Sequence, residues 1–272
     1  MAIPSKQIGW GTEENLLWQI SKQLETLTKV VYNIPNNTTS TTTSTSTSTT
    51  TSTTTAAPIP NMSLTVSNTL GLFDIAQGSD FTIEWFAYYA NTSNHPRAYS
   101  FGSYFTGGAS HAVSIENGTF YWWVNGSIII QSPVNIENGW HHFCIQRASG
   151  TATVFIDGNG VNGTSFSDAI PTSAKPLYIG SEGDDSLSNA FFSNFRWNST
   201  TAQYNPSGGW TPPTTPLSSV YGTNLLLFQG DSLELELVDN SGQGSVINNG
   251  TGVYNGGSPF SGGEGSILFG TL

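Results

Sequence analysis

Alternation of apolar and polar positions is strongest between Trp140 and Gly158. His142, Cys144 and Gln146 alternate with His141, Phe143 and Ile145 on the way out, and Thr153, Phe155 and Asp157 alternate with Val154 and Ile156 on the way back. Successive strand side chains point to opposite faces, so two such arms around Ala148-Ser149-Gly150 predict a β-hairpin whose apolar face needs another sheet to cover it. Similar short segments recur on both sides: Ser63 to Val66, Phe81 to Tyr88, Tyr99 to Phe105, His111 to Ile115, Thr119 to Val124, Ser127 to Gln131, Leu177 to Gly180 and Phe191 to Trp197. Asn224 to Phe228, Leu233 to Leu237, Val246-Ile247 and Ile267 to Phe269 supply closing strands. Asn117-Gly118 and Asn125-Gly126 are turn chemistry. The pattern predicts an all-β fold, a two-sheet antiparallel sandwich.

Before residue 36 the period changes. Leu17, Ile20, Leu24, Leu27 and Val31 recur at spacings of three and four, Thr12 precedes Glu13 and Glu14 as a cap, and Pro35 follows the end. These features predict an amphipathic helix. A lone helix of this length is marginal in water, so its stripe implies a cover: further copies of the chain, as a dimer or trimer, a larger scaffold, or the chain's own sandwich, which the long connection disfavours. Thr38 to Thr55 is an almost pure Thr/Ser tract without residues that build a core. It predicts a linker or stalk, spanning up to ~60 Å at about 3.3 Å per residue. The expected organisation is an anchor and oligomerisation segment over 1–35, a Thr/Ser-rich stalk over 36–60 and one β domain over 61–272.

Composition narrows the function. The chain has 30 Gly, 13 Pro and only 9% charged residues, with a formal net charge of −11 and 7 Lys plus Arg. So few cations argue against a nucleic-acid partner, and no stretch approaches the ~20 apolar residues of a membrane span. Cys144 is the sole cysteine, which excludes an intrachain disulfide and predicts a small buried hydrophobe. The N-terminus MAIPSKQIGWGTEENLL lacks the apolar core of a signal peptide. Synthesis in a cytoplasm, combined with a sticky Thr-rich surface, suits a virion component released by lysis.

The run Trp140-His141-His142-Phe143, then Arg147, Gly150 and Val154-Phe155-Ile156-Asp157-Gly158, resembles the central hairpin of the laminin-G-like, concanavalin-A-like jelly-roll family. Leu177-Tyr178-Ile179-Gly180 and Phe192-Ser193-Asn194-Phe195-Arg196 resemble its next two elements. Glu14-Asn15-Leu16-Leu17-Trp18 resembles an N-terminal segment of marine phage structural proteins, and Trp210-Thr211-Pro212-Pro213 with Asp239-Asn240-Ser241-Gly242 resembles the tail of phage-encoded members. The resemblance implies a lectin-like jelly roll on a virion fibre or spike. Residues 1–35 would join a capsid or tail protein, and the domain would meet a host-surface glycan.

Three chemistries remain. Sugar binding needs aromatic platforms beside polar groups, for which Tyr121, Trp122, Trp123, Tyr99, Tyr104 and Trp210 are the candidates. Relatives in the resembled family bind calcium with rim oxygens, which points to Asp157 and Asn159 after the hairpin and to Glu182, Asp184 and Asp185 after the next strand. Glycoside hydrolysis would need paired carboxylates. Glu234 and Glu236 alternate on one strand face, without the middle Asp of the glucanases of this fold. The expected protein is therefore an adhesin rather than an enzyme, the alternative being a capsid decoration protein without a ligand.

Overall fold

Short strands pair antiparallel in the part of the chain described by a computed structural model: residues 64–68, 71–93, 95–102, 111–172, 175–182, 188–206, 209–232, 237–243, 247–248, 253–255, 257–260 and 265–269. The helix carrying Leu17, Ile20, Leu24, Leu27 and Val31, the Thr/Ser tract, Tyr104, Asp184, Asp185, Glu234 and Glu236 lie outside the described residues. In chain order the strands are β1 Leu64–Val66, β2 Phe81–Tyr89, β3 Arg97–Phe101, β4 His111–Glu116, β5 Thr119–Val124, β6 Ser127–Pro133, β7 Trp140–Ala148, β8 Thr151–Ile156, β9 Asn159–Ser165, β10 Leu177–Ile179, β11 Ala190–Asn198, β12 Thr223–Leu227, β13 Ile247–Asn248, β14 Val253–Asn255 and β15 Ser266–Phe269. Among the described residues no helix is long and apolar enough to cross a membrane.

Two sheets face each other. The seven-stranded sheet runs β13-β1-β10-β3-β4-β5-β6, and the eight-stranded sheet runs β14-β15-β11-β2-β7-β8-β9 with β12 beside β11. Between them sits one apolar core built from the inward positions of both. Trp85 of β2 joins the layers, stacking on Phe143 of β7 at 5.3 Å and meeting Tyr99 of β3 edge-on at 5.8 Å. Aromatic rings of this size bury roughly 150–250 Å² each, so a few of them dominate the core.

The central hairpin has the parity expected, with Cys144 opposite Phe155 and Gln146 opposite Thr153. Ser149 and Gly150 both take positive φ, the geometry that matches a two-residue turn to strand twist. Asp157 and Gly158 do the same, and the chain returns as β9 rather than entering the expected loop. Its sequence NGVNGTS has no alternation because this strand is an exposed edge held by backbone pairing.

The eight-stranded sheet is covered on both faces. Arg147 of β7 closes one end of the core, donating to the carbonyls of Ser79, Asp168 and Ala76 at 2.5, 2.6 and 2.7 Å between the Phe81 and Phe166 rings. On the outer face, Leu217 joins Phe86 and Leu226 in a second apolar cluster, and Cys144 lies fully buried on that side of β7.

Candidate functional site

The outer face of the seven-stranded sheet follows from the parity of three strands. On β5, Phe120, Trp122 and Val124 are buried while Thr119, Tyr121 and Trp123 are half-buried and point outward. Register then lines Arg97 of β3 beside Ser114 of β4, Ser114 beside Tyr121, and Tyr121 beside Gln131 of β6. Four strands about 4.8 Å apart make this row about 14 Å long. Ahead of Glu116, the outward residues of β4 are small, Ala112 and Ser114, whereas β5 contributes the stacked Tyr121 and Trp123 rings, 6.1 Å apart. A groove along β4 results: a cleft of about 220 Å³ floored by Ala112, with Trp123 on one wall and His95, Arg97, Glu116 and Glu182 on the other.

Charged groups in this wall hold one another. Arg97 meets Glu116 through Nη1 at 2.7 Å and Glu182 through Nε at 2.9 Å. Glu116 also accepts from the Ser114 hydroxyl at 3.0 Å, and its second oxygen lies 3.1 Å from His95 Nδ1. Trp123 Nε1 donates to the same Ser114 oxygen at 3.2 Å, so the aromatic wall and the charged wall share a hydrogen-bond chain. Side-chain exposure falls from 55% for His95 to 22% for Glu116, 13% for Arg97 and 3% for Glu182, which makes Glu116 and His95 the groups at the mouth. Burial pushes the Glu116 carboxyl up, but the Arg97 and Ser114 hydrogen bonds and the Arg97 charge outweigh it and hold the group below the usual carboxylate range. Glu116 is therefore an anion at neutral pH.

Residues 36–202, more than half of the chain, match the family model of the concanavalin A-like lectin/glucanases superfamily. The chain belongs to this superfamily. Among solved structures the fold is similar to a candidate carbohydrate-binding protein from Bacteroides ovatus, with 13% identity, a TM-score of 0.48 and coverage of 69% of this chain and 56% of that one. It is also similar to the heptameric SAP-like pentraxin of Limulus polyphemus (16% identity, TM-score 0.39, 53% of this chain and 73% of that one). A third similarity is to the sialidase of Trypanosoma rangeli (14% identity, TM-score 0.34, 43% of this chain and 20% of that one). No curated protein matches the chain in sequence.

The lectin-like fold sorts the aromatic candidates. Tyr121 and Trp123 line the outer face, but Trp122 and Tyr99 are corrected: both are fully buried and offer no platform. They converge instead on His111, whose Nε2 accepts from Trp122 Nε1 and lies 3.2 Å from the Tyr99 hydroxyl. Trp210 sits on the other sheet, stacked on Tyr204 at 3.7 Å and edge-on to His142 at 5.3 Å. Arg97, Glu116, His95 and Ser114 were not singled out from sequence, although the alternation in His-Ala-Val-Ser-Ile-Glu already puts Ser114 and Glu116 opposite the apolar Val113 and Ile115.

Of the calcium candidates, Asp157, Asn159 and Glu182 lie among the described residues. Asp157 spends one oxygen on His141 Nδ1 at 2.6 Å and the other on the His142 amide at 2.9 Å, while Asn159 Nδ2 bonds the Asp157 carbonyl at 3.2 Å. Glu182 holds Arg97 in the cleft. Among the described residues no group of three or more His, Cys, Asp or Glu could hold a metal ion. Asp239, three residues after Glu236, accepts from the Leu226 and Ser241 amides at 3.1 and 2.9 Å and serves a turn.

A second buried network crosses the outer face of the eight-stranded sheet. Glu84 takes Arg196 Nε at 2.9 Å and Nη2 at 2.5 Å on one oxygen, and His142 Nε2 at 3.0 Å with the Tyr204 hydroxyl at 2.6 Å on the other. Burial raises the Glu84 carboxyl, but the His142 hydrogen bond and the Arg196 charge override it and keep it below its usual range. The group is fully buried, so its role is to pin the Tyr204 segment across β11, β2 and β7 rather than to meet a ligand.

Proposed function

We propose that the domain is a carbohydrate-binding module that takes its ligand in the groove along β4. One observation carries the proposal: Trp123 lines the cleft across a small floor from ionised, hydrogen-bonding side chains, and an aromatic ring beside such polar groups is the pairing by which proteins hold sugars. Membership of a lectin/glucanase superfamily supports it.

Binding is favoured over hydrolysis. A glycosidase needs one carboxyl kept protonated near neutral pH as a general acid. Glu116 has the opposite tuning, and Glu116 and Glu182 are both tied to one guanidinium. In the full chain the module would form the head of a multimeric virion fibre, attached through residues 1–35 and presented on the Thr/Ser stalk. Adhesion would then come from many weak contacts acting together. The heptad seam from Leu17 to Val31 supports this arrangement.

A glycan array tests the binding. The expected result is a set of glycan hits that Trp123→Ala weakens tenfold or more, which corresponds to about 1.4 kcal/mol. Absence of any hit would favour the decoration protein, and release of reducing ends from a hit glycan would restore the enzyme.

A further inference from the structure

Resting on the carbohydrate-binding proposal, we infer that the groove selects glycans by charge: it takes uncharged and aminated sugars and turns away uronate, sialylated and sulfated ones. The distribution of charge along the chain is the first ground. Lys6, Lys22 and Lys29 balance Glu13, Glu14 and Glu25 before the domain, so the whole formal −11 falls after residue 63, where three Arg and one Lys face fifteen acids.

The second ground is what those four cations already do. Arg147 directs its guanidinium at three backbone carbonyls at one end of the core. Arg196 is bound to Glu84 and to the Ser218 carbonyl beneath the Tyr204 segment. Lys175 lies against Gly102, beyond the end of β3 remote from Arg97, and is not part of the groove wall. Of these four, and among the described residues, Arg97 alone lines the groove, and it is clamped between two carboxylates.

Recognition of a carboxylate or sulfate relies on a guanidinium or ammonium that can offer paired donors to the incoming anion. Here the single guanidinium is outnumbered by Glu116 and Glu182, which leaves the wall with a formal charge of −1 when His95 is neutral. An anionic ligand entering the groove would meet Glu116 at its mouth. A hydroxyl meets an acceptor there, and a ring ammonium meets a counter-charge.

The test is a glycan array of the full chain that sets each neutral glycan beside its sialylated, sulfated and uronate-bearing derivatives, read at low and at high salt. The expected result is at least tenfold weaker binding of every anionic derivative, with the gap narrowing at high salt because the repulsion is screened. Glu116→Gln should shrink the gap at least threefold. Equal or tighter binding of the anionic derivatives would overturn the charge selection while leaving carbohydrate binding intact. A gap unchanged in Glu116→Gln would overturn the assignment to this groove. Binding of no glycan at all would overturn both proposals together.

Discussion

Acid should weaken the fold through a single core histidine. His111 is fully buried between Trp122 and Tyr99, and because an indole N–H can only donate, its Nε2 must be the acceptor and the ring neutral. Burial pushes its pKa from the ordinary 6.5 down to about 3. Between those values the unfolded ring binds a proton that the folded ring does not, so stability falls as pH drops through this window. The slope is about 1.4 kcal/mol per pH unit at its steepest, and integration from pH 7 to 4.5 gives a loss of about 2.5 kcal/mol. Urea unfolding of the wild type and His111→Gln at both pH values measures it. The variant is expected to be less stable at pH 7, where it packs less well, yet to lose about 2.5 kcal/mol less on acidification. Equal acid losses in the two proteins would refute the reasoning.

Three other predictions concern the scaffold. Glu84→Gln leaves the Arg196 charge buried without its counter-ion, an effect of about 3–5 kcal/mol, or about 6–20 °C in melting temperature for a domain of this size; calorimetry showing a loss under ~1 kcal/mol would contradict it. Gly158→Ala should cost about 2–4 kcal/mol, since the new Cβ would stand 1.6 Å from the Trp210 carbonyl oxygen at a φ of +74°, whereas Gly126→Ala, with φ +76° and open space, should cost only about 1 kcal/mol by chemical denaturation. Asp157 is raised by burial but held low overall by the His141 hydrogen bond, so its contribution is present above the ordinary 3.8 and disappears as pH falls through the folded value. Asp157→Asn should therefore flatten the stability profile below about pH 4 in acid titrations followed by fluorescence, and an unchanged profile would remove Asp157 from the account.

The core hairpin was legible because its apolar residues alternate without a break and its turn is marked by Ser149-Gly150. What hid the rest was polar burial. His142 and Gln146 are polar positions of the hairpin, yet they lie under Tyr204 and Trp210, satisfied by Glu84 and by the Tyr204 backbone. Hydropathy does not register a polar group buried with its partner. Four consecutive aromatics on β5 concealed the parity that Thr119 gives, for only the polar end of the strand tells that Tyr121 and Trp123 face outward and Trp122 inward. The groove itself combines residues from β3, β4, β5 and the segment after β10, and no local pattern joins Arg97 to Glu182 across 85 positions.

A floor made of Ala112 gives the domain an adjustable aperture. Its partners across the sheet, Ser100 and Trp123, belong to strands whose inward residues carry the core. A longer side chain at 112 or 114 would therefore shallow the groove without touching that core, and a change at 123 would remake one wall. Diversification of what the surface holds can proceed by single exchanges on one face of two strands while the sandwich behind them stays the same.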